Sequence, residues 1–397
     1  MSTLAIDGIG LLVTNDPQRG EGPLGVVRDA ALVLEGELVL AIEPAGAAAD
    51  RRLDAAGRCV IPGFVDSHTH LVFAGDRAQE FAARMAGEPY RAGGIRTTVA
   101  ATRDASIGEL RALAARRRDA ALRQGITHLE IKSGYALDVA GEARCCALAR
   151  ELTDDVTFLG AHVVPVEYEG RADDYVALVC GEMLGACAAD VRWIDVFCER
   201  GAFDAEQSRA VLSAGRAAGL GLRVHANQLG PGPGVRLAVE LGAASADHCT
   251  HLDDDDVEAL AGGETVATLL PLTDFCTRQP YAGARRLLDA GATVALATNL
   301  NPGSSHSSAM ALCLAFAVRD MGMTLDEALR AATVGGAAAL RRDDVGRLVP
   351  GARADAVLLD VLTPADLVYQ VGMPLVAATI ARGEVAWPAP DGVIETR

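Results

Sequence analysis

Two histidines separated by one residue follow an apolar run near the start of the chain. The run Val60 to Val65 leads, after two polar residues, into His68-Thr69-His70. Side chains two apart on an extended strand point to the same side, so both imidazoles can reach one cation. Imidazole suits zinc and iron, and catalytic sites of these metals keep one position open for water. The tripeptide therefore predicts the metal site of an enzyme.

Two further histidines also follow short apolar runs. His225 and His248 fit groups that separate strands of one sheet deliver to a common site. We expect His68, His70 and His225 as metal ligands, and His248 as a proton-transfer group or a fourth ligand. A carboxylate is expected after the eighth strand, but the residue there is Asn299. Its amide is a neutral oxygen donor that cannot accept a proton, so metal affinity and base strength should both fall.

Other polar side chains follow the first three predicted strands. Arg77 could bind a carboxylate through two hydrogen bonds, Tyr135 could donate its hydroxyl, and His162 could polarise a carbonyl or an imidazole-like ring. Each of the three is more often structural when taken alone, and together they favour a binding role. Lys132 also ends a strand, where an ordinary ion pair is favoured over a carboxylated lysine that bridges two metals.

Short apolar runs alternate with longer, alanine-rich helical segments between about residue 60 and residue 340. Eight such alternations predict a parallel (β/α)8 barrel, of the TIM type, with its reactive residues at the carboxyl ends of the strands. The predicted strands are Val60 to Val65, Thr127 to Lys132, Thr157 to Ala161, Trp193 to Cys198, Leu220 to His225, Ala244 to Asp247, Thr265 to Leu270 and Thr293 to Thr298.

The two ends of the chain have a different pattern, with short runs punctuated by glycine and proline. Residues 1–59 and 344–397 are expected to pair into one small composite β-sandwich domain, and residues 60–343 to form the barrel. A chain of 397 residues is long enough for both.

The composition excludes several classes of partner. A formal net charge of −17 would repel nucleic acid and anionic lipid, so neither is expected as a partner. No stretch has the roughly 20 apolar residues that a membrane-spanning helix needs. The 9 cysteines show no paired CxxC spacing and predict reduced thiols in the cytoplasm. A small anionic substrate would need a local basic group such as Arg77.

Five segments together resemble the imidazolonepropionase family of the amidohydrolase superfamily. They are Asp66 to Arg77, Glu130 to Tyr135, Gly160 to His162, Ser245 to His248 and Asn301 to Ser305. The combination of Lys-Ser-Gly-Tyr with Asn-Pro-Gly-Ser-Ser is far more specific than His-x-His, and the resemblance spans nearly the whole barrel.

The resemblance implies hydrolysis of 4-imidazolone-5-propanoate to N-formimidoyl-L-glutamate in L-histidine degradation, by water that a metal activates for attack on the cyclic amide carbonyl. It implies one Zn²⁺, Fe³⁺ or Fe²⁺ ion per subunit, and a homodimer is a reasonable expectation for the superfamily. By motif position, the metal ligands are His68, His70, His225 and Asn299, and the catalytic residues are His248 and Gln228. The implied contacts to substrate or product are Arg77, Tyr135, His162, Gln228, Asn301, Gly303 and Ser304.

This chain departs from the family pattern at three positions. Asn299 stands where Asp is usual, Gln228 where Glu is frequent, and Ala136 follows Tyr135 where Gly is usual. Two alternatives therefore stay open. One is a substrate-binding or degenerate protein whose activity is weakened by Asn299, and the other is an amidohydrolase or deaminase that acts on another cyclic C–N substrate.

Overall fold

A computed structural model describes residues 2–87, 94–387 and 395–396 of the chain. The chain divides into two compact units. One comprises Met1–Asp66, Asp119–His128 and Ala309–Arg397, and the other Ser67–Arg118 and Leu129–Ser308. These two units do not coincide with the predicted β domain and barrel. The predicted boundaries, 1–59 with 344–397 and 60–343, therefore stay a prediction. Residues 388–394 and 397, at the end of the predicted second β segment, lie outside the described residues.

Both chain ends contribute to one mixed sheet. Its strands are β1 (Thr3–Val13), β2 (Val26–Glu35), β3 (Leu38–Pro44), β4 (Arg51–Asp54), β5 (Cys59–Pro62), β14 (Ala356–Leu359), β15 (Val376–Ala381), β16 (Glu384–Trp387) and β17 (Glu395–Thr396). The order is β16-β15-β14-β5-β1-β2-β3, with β4 paired to β1 and β17 to β4. Apolar side chains such as Ile6, Leu32 and Leu358 form its buried core. The predicted pairing of the two ends is confirmed.

The second sheet contains eight strands in sequential order. They are β6 (Phe64–Asp66), β7 (Ile126–Lys132), β8 (Asp155–Ala161), β9 (Trp193–Cys198), β10 (Gly221–Ala226), β11 (Ser245–His248), β12 (Val266–Leu269) and β13 (Val294–Leu296). Described pairs from β7 to β13 are parallel. Beyond the strands, Asn299 N–H donates to the His68 carbonyl at 3.0 Å and His70 N–H to the Leu300 carbonyl at 2.9 Å. These bonds join the first and eighth segments, and the predicted barrel fold is confirmed.

Helices follow most barrel strands. They are α1 (Ala78–Met85), α2 (Ile95–Asp104), α3 (Ile107–Arg123), α4 (Val139–Arg150), α5 (Ala172–Leu178), α6 (Leu184–Cys187), α7 (Ala205–Ala217), α8 (Gly234–Glu240), α9 (Asp254–Gly262), α10 (Pro271–Thr277), α11 (Ala284–Asp289), α12 (Met310–Arg319), α13 (Leu325–Arg330), α14 (Gly336–Ala339) and α15 (Asp366–Tyr369). Asp204 and Asp253 cap α7 and α9 by accepting from the backbone N–H three residues on. Among the described residues, no helix is both long and apolar enough to cross a membrane.

One predicted strand is wrong in its extent. The run Val60 to Val65 is not one strand, because β5 ends at Pro62 in the mixed sheet and β6 begins at Phe64 in the barrel sheet. Gly63 lies at the break, and a Cβ atom there would stand 2.1 Å from Thr127 Oγ1. The close approach requires glycine, and the uniform hydrophobicity of the run hid the change of sheet.

Candidate active site

Three histidines form a compact buried group after β6 and at the end of β10. His68, His70 and His225 each offer one ring nitrogen, and these atoms all lie within 4.8 Å of one another. The Nε2 atoms of His68 and His70 are 3.4 Å apart. Spacing of this kind fits three ligands of one cation, since zinc to imidazole nitrogen distances are about 2.0 to 2.1 Å.

Carboxylates behind two of these rings fix which nitrogen is available. His68 Nδ1–H donates to Asp247 Oδ2 at 2.7 Å, and His225 Nδ1 lies 3.0 Å from Asp195 Oδ2. Each ring then keeps its Nε2 lone pair for a cation, as in many metalloenzymes. Burial lowers the pKa of His68 well below its usual value, and that of His70 likewise, so both are neutral, as metal ligands must be.

Asn299 presents an unsatisfied oxygen beside this group. Its φ of 51° lies in the left-handed region, which asparagine tolerates. Its Nδ2 donates to Thr273 Oγ1 at 2.8 Å, which fixes the orientation of the amide. Among the described residues, the buried Oδ1 atom has no hydrogen-bond partner. A buried acceptor left without a donor is costly, so a cation at the three histidines would account for it.

His248 lies beside the three histidines in a strained backbone conformation. Its ring centroid is 5.4 Å from that of His225 and 5.7 Å from that of His68. Its φ is 81°, which costs energy for a residue with a side chain and is frequent at functional sites. Burial lowers the pKa of His248 well below its usual value, so the ring is neutral.

The structure brings the predicted site residues together around one cavity. Its lining comprises His70, Arg77, Ile95, Tyr135, His162, Val163, Phe197, His225, Gln228, His248, Asn299, Asn301 and Ser304. Two predicted residues are outside this lining. His68 is fully buried among the other histidines, and Gly303 packs against Arg77, where a Cβ atom would stand 2.2 Å from Nη1. The roles of all these residues stay predictions.

Arg77 is held in place by a glutamate that sequence reasoning missed. Its Nε and Nη2 atoms donate to the two carboxylate oxygens of Glu80 at 2.8 and 2.7 Å. Arg84 donates to Glu80 at 3.2 Å and to the Gly303 carbonyl at 2.9 Å. This network fixes the guanidinium of Arg77 against the loop that contains Gly303. The spacing of three residues between Arg77 and Glu80 on a helix start was the available signal.

His162 and Tyr135 complete one side of the cavity. His162 Nδ1–H donates to the Gly134 carbonyl at 2.9 Å, and burial lowers the pKa of His162 to about 3. The ring is therefore neutral, with Nε2 as an acceptor. It stacks on His70 at 5.5 Å and lies 5.3 Å from the Tyr135 ring. An acceptor does not polarise a carbonyl, so the neutral ring suits a substrate N–H group better.

The loop after β13 is organised by Asn301. Its Oδ1 accepts from Gly303 N–H and from Ser304 N–H, both at 2.8 Å. Its Nδ2 donates to the Asn299 carbonyl at 2.7 Å and to Ser304 Oγ at 2.9 Å. These bonds use all four hydrogen-bonding positions of the amide, so Asn301 shapes the cavity wall.

Two buried aspartates were also missed. Asp195 interrupts the apolar strand β9, and Asp247 precedes His248 at the end of β11, and both side chains are fully buried. Lys132 lies 2.8 Å from Asp195 and 2.8 Å from Glu130. The interpretation of Lys132 as an ion-paired lysine is confirmed. A lone acid inside an apolar strand was the signal that could have identified Asp195, because buried charges are paired.

Replacing Glu80 by glutamine tests its hold on Arg77. We expect Glu80→Gln to raise KM about tenfold with little change in kcat, because one charge-assisted hydrogen bond to Arg77, the residue predicted to bind the substrate carboxylate, is weakened. Steady-state kinetics measure the split. Glu151→Gln is the matched control, since Glu151 binds Arg111 with the same two distances, 2.8 and 2.7 Å, on the surface. An unchanged KM in Glu80→Gln would show that Arg77 is oriented without it.

The chain is similar in sequence to proteins of one enzyme family. The model of the amidohydrolase family matches residues 200–386. An imidazolonepropionase of Salinispora arenicola is 63% identical over 387 residues, which cover 96% of this chain and 98% of that protein. An imidazolonepropionase of Mycolicibacterium smegmatis is 62% identical over 389 residues, which cover 98% of each.

Solved structures with the same fold are more distant in sequence. A zinc complex of atrazine chlorohydrolase from Arthrobacter aurescens has a TM-score of 0.68 at 20% identity, covering 96% of this chain and 94% of that one. An adenosine deaminase from Xanthomonas campestris with bound zinc has a TM-score of 0.72 at 18% identity, covering 99% and 94%. Similarity at this level establishes the architecture alone.

Proposed function

Because this chain belongs to the imidazolonepropionase family of the amidohydrolases, we propose that its buried histidines hold the metal with which it opens an imidazolone ring. The enzyme hydrolyses 4-imidazolone-5-propanoate to N-formimidoyl-L-glutamate in L-histidine degradation, and so acts on a C–N bond of a cyclic amide. The observation that carries the metal proposal is the convergence of ring nitrogens of His68, His70 and His225 within 4.8 Å of one another.

One divalent ion per subunit fits this donor set. His68, His70 and His225 would supply nitrogen, and Asn299 Oδ1 would supply a neutral oxygen in place of a carboxylate. Three imidazoles suit Zn²⁺ and Fe²⁺ alike, and we propose zinc first, because three imidazole nitrogens are a donor set found at catalytic zinc. When bound, the ion supplies Lewis acidity that activates water.

The cavity wall offers the substrate a positive charge, a hydrogen-bond donor and a hydrogen-bond acceptor. Arg77 would bind the propanoate, which answers how an acidic protein attracts an anion, and Glu80 holds its guanidinium ready. Tyr135 would donate its hydroxyl, and the neutral Nε2 of His162 would accept a ring N–H. Gly303 lets Arg77 approach the loop, and Ser304 lines the same wall.

Proton transfer falls to an imidazole. None of the described residues that line the cavity carries a carboxylate. Asn299 and Gln228 carry neutral amides, which cannot accept the proton of the attacking water. His248 is neutral, buried and adjacent to the ligands. We therefore assign it to take this proton and to deliver it to the leaving ring nitrogen. Gln228 would hydrogen-bond the ring.

A substrate panel tests the proposed function. We expect metal-replete enzyme to consume 4-imidazolone-5-propanoate with a specificity constant at least about 10³-fold above its values for guanine, hydantoin and dihydroorotate, because only the first places a flexible carboxylate at Arg77. Loss of imidazolone absorbance and the release of N-formimidoyl-L-glutamate measure turnover. Tight binding of the imidazolone without turnover would identify a degenerate binding protein, and a faster reaction with another ring would identify a different cyclic amidohydrolase or deaminase.

We further propose a cytoplasmic homodimer that acts on its small-molecule substrate without other partners. All nine cysteines are free thiols, which suits a reducing compartment. The dimer is an expectation for the superfamily, and sedimentation of the purified protein measures it.

A further inference from the structure

We propose that Lys132 is a positioning residue that couples two of the metal-binding histidines through their carboxylate partners. Its Nζ lies 2.8 Å from Asp195 Oδ2 and 3.5 Å from Asp247 Oδ2. The same two oxygens face His225 Nδ1 at 3.0 Å and His68 Nδ1 at 2.7 Å. One ammonium group therefore faces both carboxylates, and each carboxylate faces one of the metal-binding histidines. The inference rests on the metal site proposed above.

The geometry of Lys132 is fixed from a third side. Glu130, two residues earlier on β7, accepts from Nζ at 2.8 Å, and its backbone carbonyl and second carboxylate oxygen bind Thr69, the residue between His68 and His70. A lysine ammonium has three donors, and here they face three carboxylates. The cluster thus connects the loop that carries His68 and His70 with the strand that carries His225.

Burial makes this arrangement sensitive to the loss of the cation. The side chains of Glu130, Lys132, Asp195, Arg223 and Asp247 are all fully inaccessible to solvent. Three carboxylates and two cations leave one excess negative charge, which complements a metal ion in front of the histidines. Without Lys132 the cluster would carry two excess negative charges instead of one, and the Asp195 and Asp247 carboxylates would repel each other without water to screen them. The imidazoles that they hold would then lose their common alignment.

The experiment compares Lys132→Met with Arg353→Met. Methionine keeps the length of lysine and removes its charge. Arg353 is a matched control because it forms a buried ion pair with Asp355 in the other compact unit. Both variants should unfold at lower temperature than the wild type. We expect only Lys132→Met to bind Co²⁺ and Zn²⁺ about 10- to 100-fold more weakly in chelator competition, and to shift the visible spectrum of the Co²⁺ form.

Three outcomes decide the inference. Folded Lys132→Met that binds Co²⁺ with wild-type affinity and spectrum would overturn it. If Lys132→Met does not fold, Asp195→Asn is compared with Lys132→Met/Asp195→Asn, which removes one charge of each sign. A further loss of affinity of severalfold in the double variant, through Asp247, supports the inference, and equal affinities overturn it. A wild type that binds Co²⁺ no better than His70→Ala would instead overturn the metal site itself.

Discussion

Replacement of His70 by alanine is expected to abolish most of the activity and to release the metal. His70 supplies one of three nitrogen atoms within 4.8 Å of one another, and its ring is held between His68 and His162. Loss of one ligand of three removes Lewis acidity worth several kcal/mol, so kcat/KM should fall by about 10³-fold or more. Metal analysis of the purified variant and steady-state turnover of the imidazolone measure the two effects.

His251→Ala is the control for the loss of a histidine. His251 lies in the loop after β11, with Nε2 3.3 Å from Gln279 Oε1, and it is not among the residues that line the cavity. It should retain metal and turnover. Normal turnover by His70→Ala would remove His70 from the ligand set. Retained metal with lost turnover would assign His70 to substrate binding beside His162.

The barrel could be predicted from the sequence because its strands are buried on both faces. A parallel strand of this kind is a short, continuous apolar run, and β8 and β9 are fully buried along their length. The pattern could not show where the chain changes sheet. The run from Val60 to Val65 is apolar throughout, and the break at Gly63 depends on the approach of Thr127, which is distant in sequence.

Site residues that follow strands could be predicted from the sequence, whereas residues that hold those side chains in place could not. His68, His70, Arg77 and His162 follow strands, so a list of polar residues at strand ends contains them. Asp195 lies within a strand and acts behind His225, and Glu80 acts behind Arg77. Such residues contact other protein groups. The contact of Asp195 with His225 depends on the register of β9 against β10, which sets Asp195 opposite Arg223, two residues before His225.

Asn299→Asp is expected to bind metal more tightly and to turn over faster than the wild type. The carboxylate would occupy the position of Oδ1, which no described group satisfies, and Thr273 Oγ1 could donate to it where it now accepts from Nδ2. A negative oxygen beside a divalent cation raises affinity, and a second proton acceptor would join His248. General bases contribute about 10²- to 10⁴-fold. Since we propose His248 as a base that is already in place, we expect kcat to rise only about tenfold, measured at saturating metal.

Asn299→Ala tests the contribution of the neutral amide oxygen, separately from the effect of the charge that Asn299→Asp adds. It removes the oxygen without adding a carboxylate, and should weaken metal binding about tenfold while Asn299→Asp strengthens it. Thr273→Val should act in the same direction as Asn299→Ala, because the amide of Asn299 would lose the acceptor that orients it. Equal metal affinity in the wild type, Asn299→Ala and Asn299→Asp would place residue 299 outside the ligand set. If Asn299→Asp instead turned over about a thousandfold faster than the wild type, His248 would contribute little as a base, since one imidazole in position would already have supplied most of that factor.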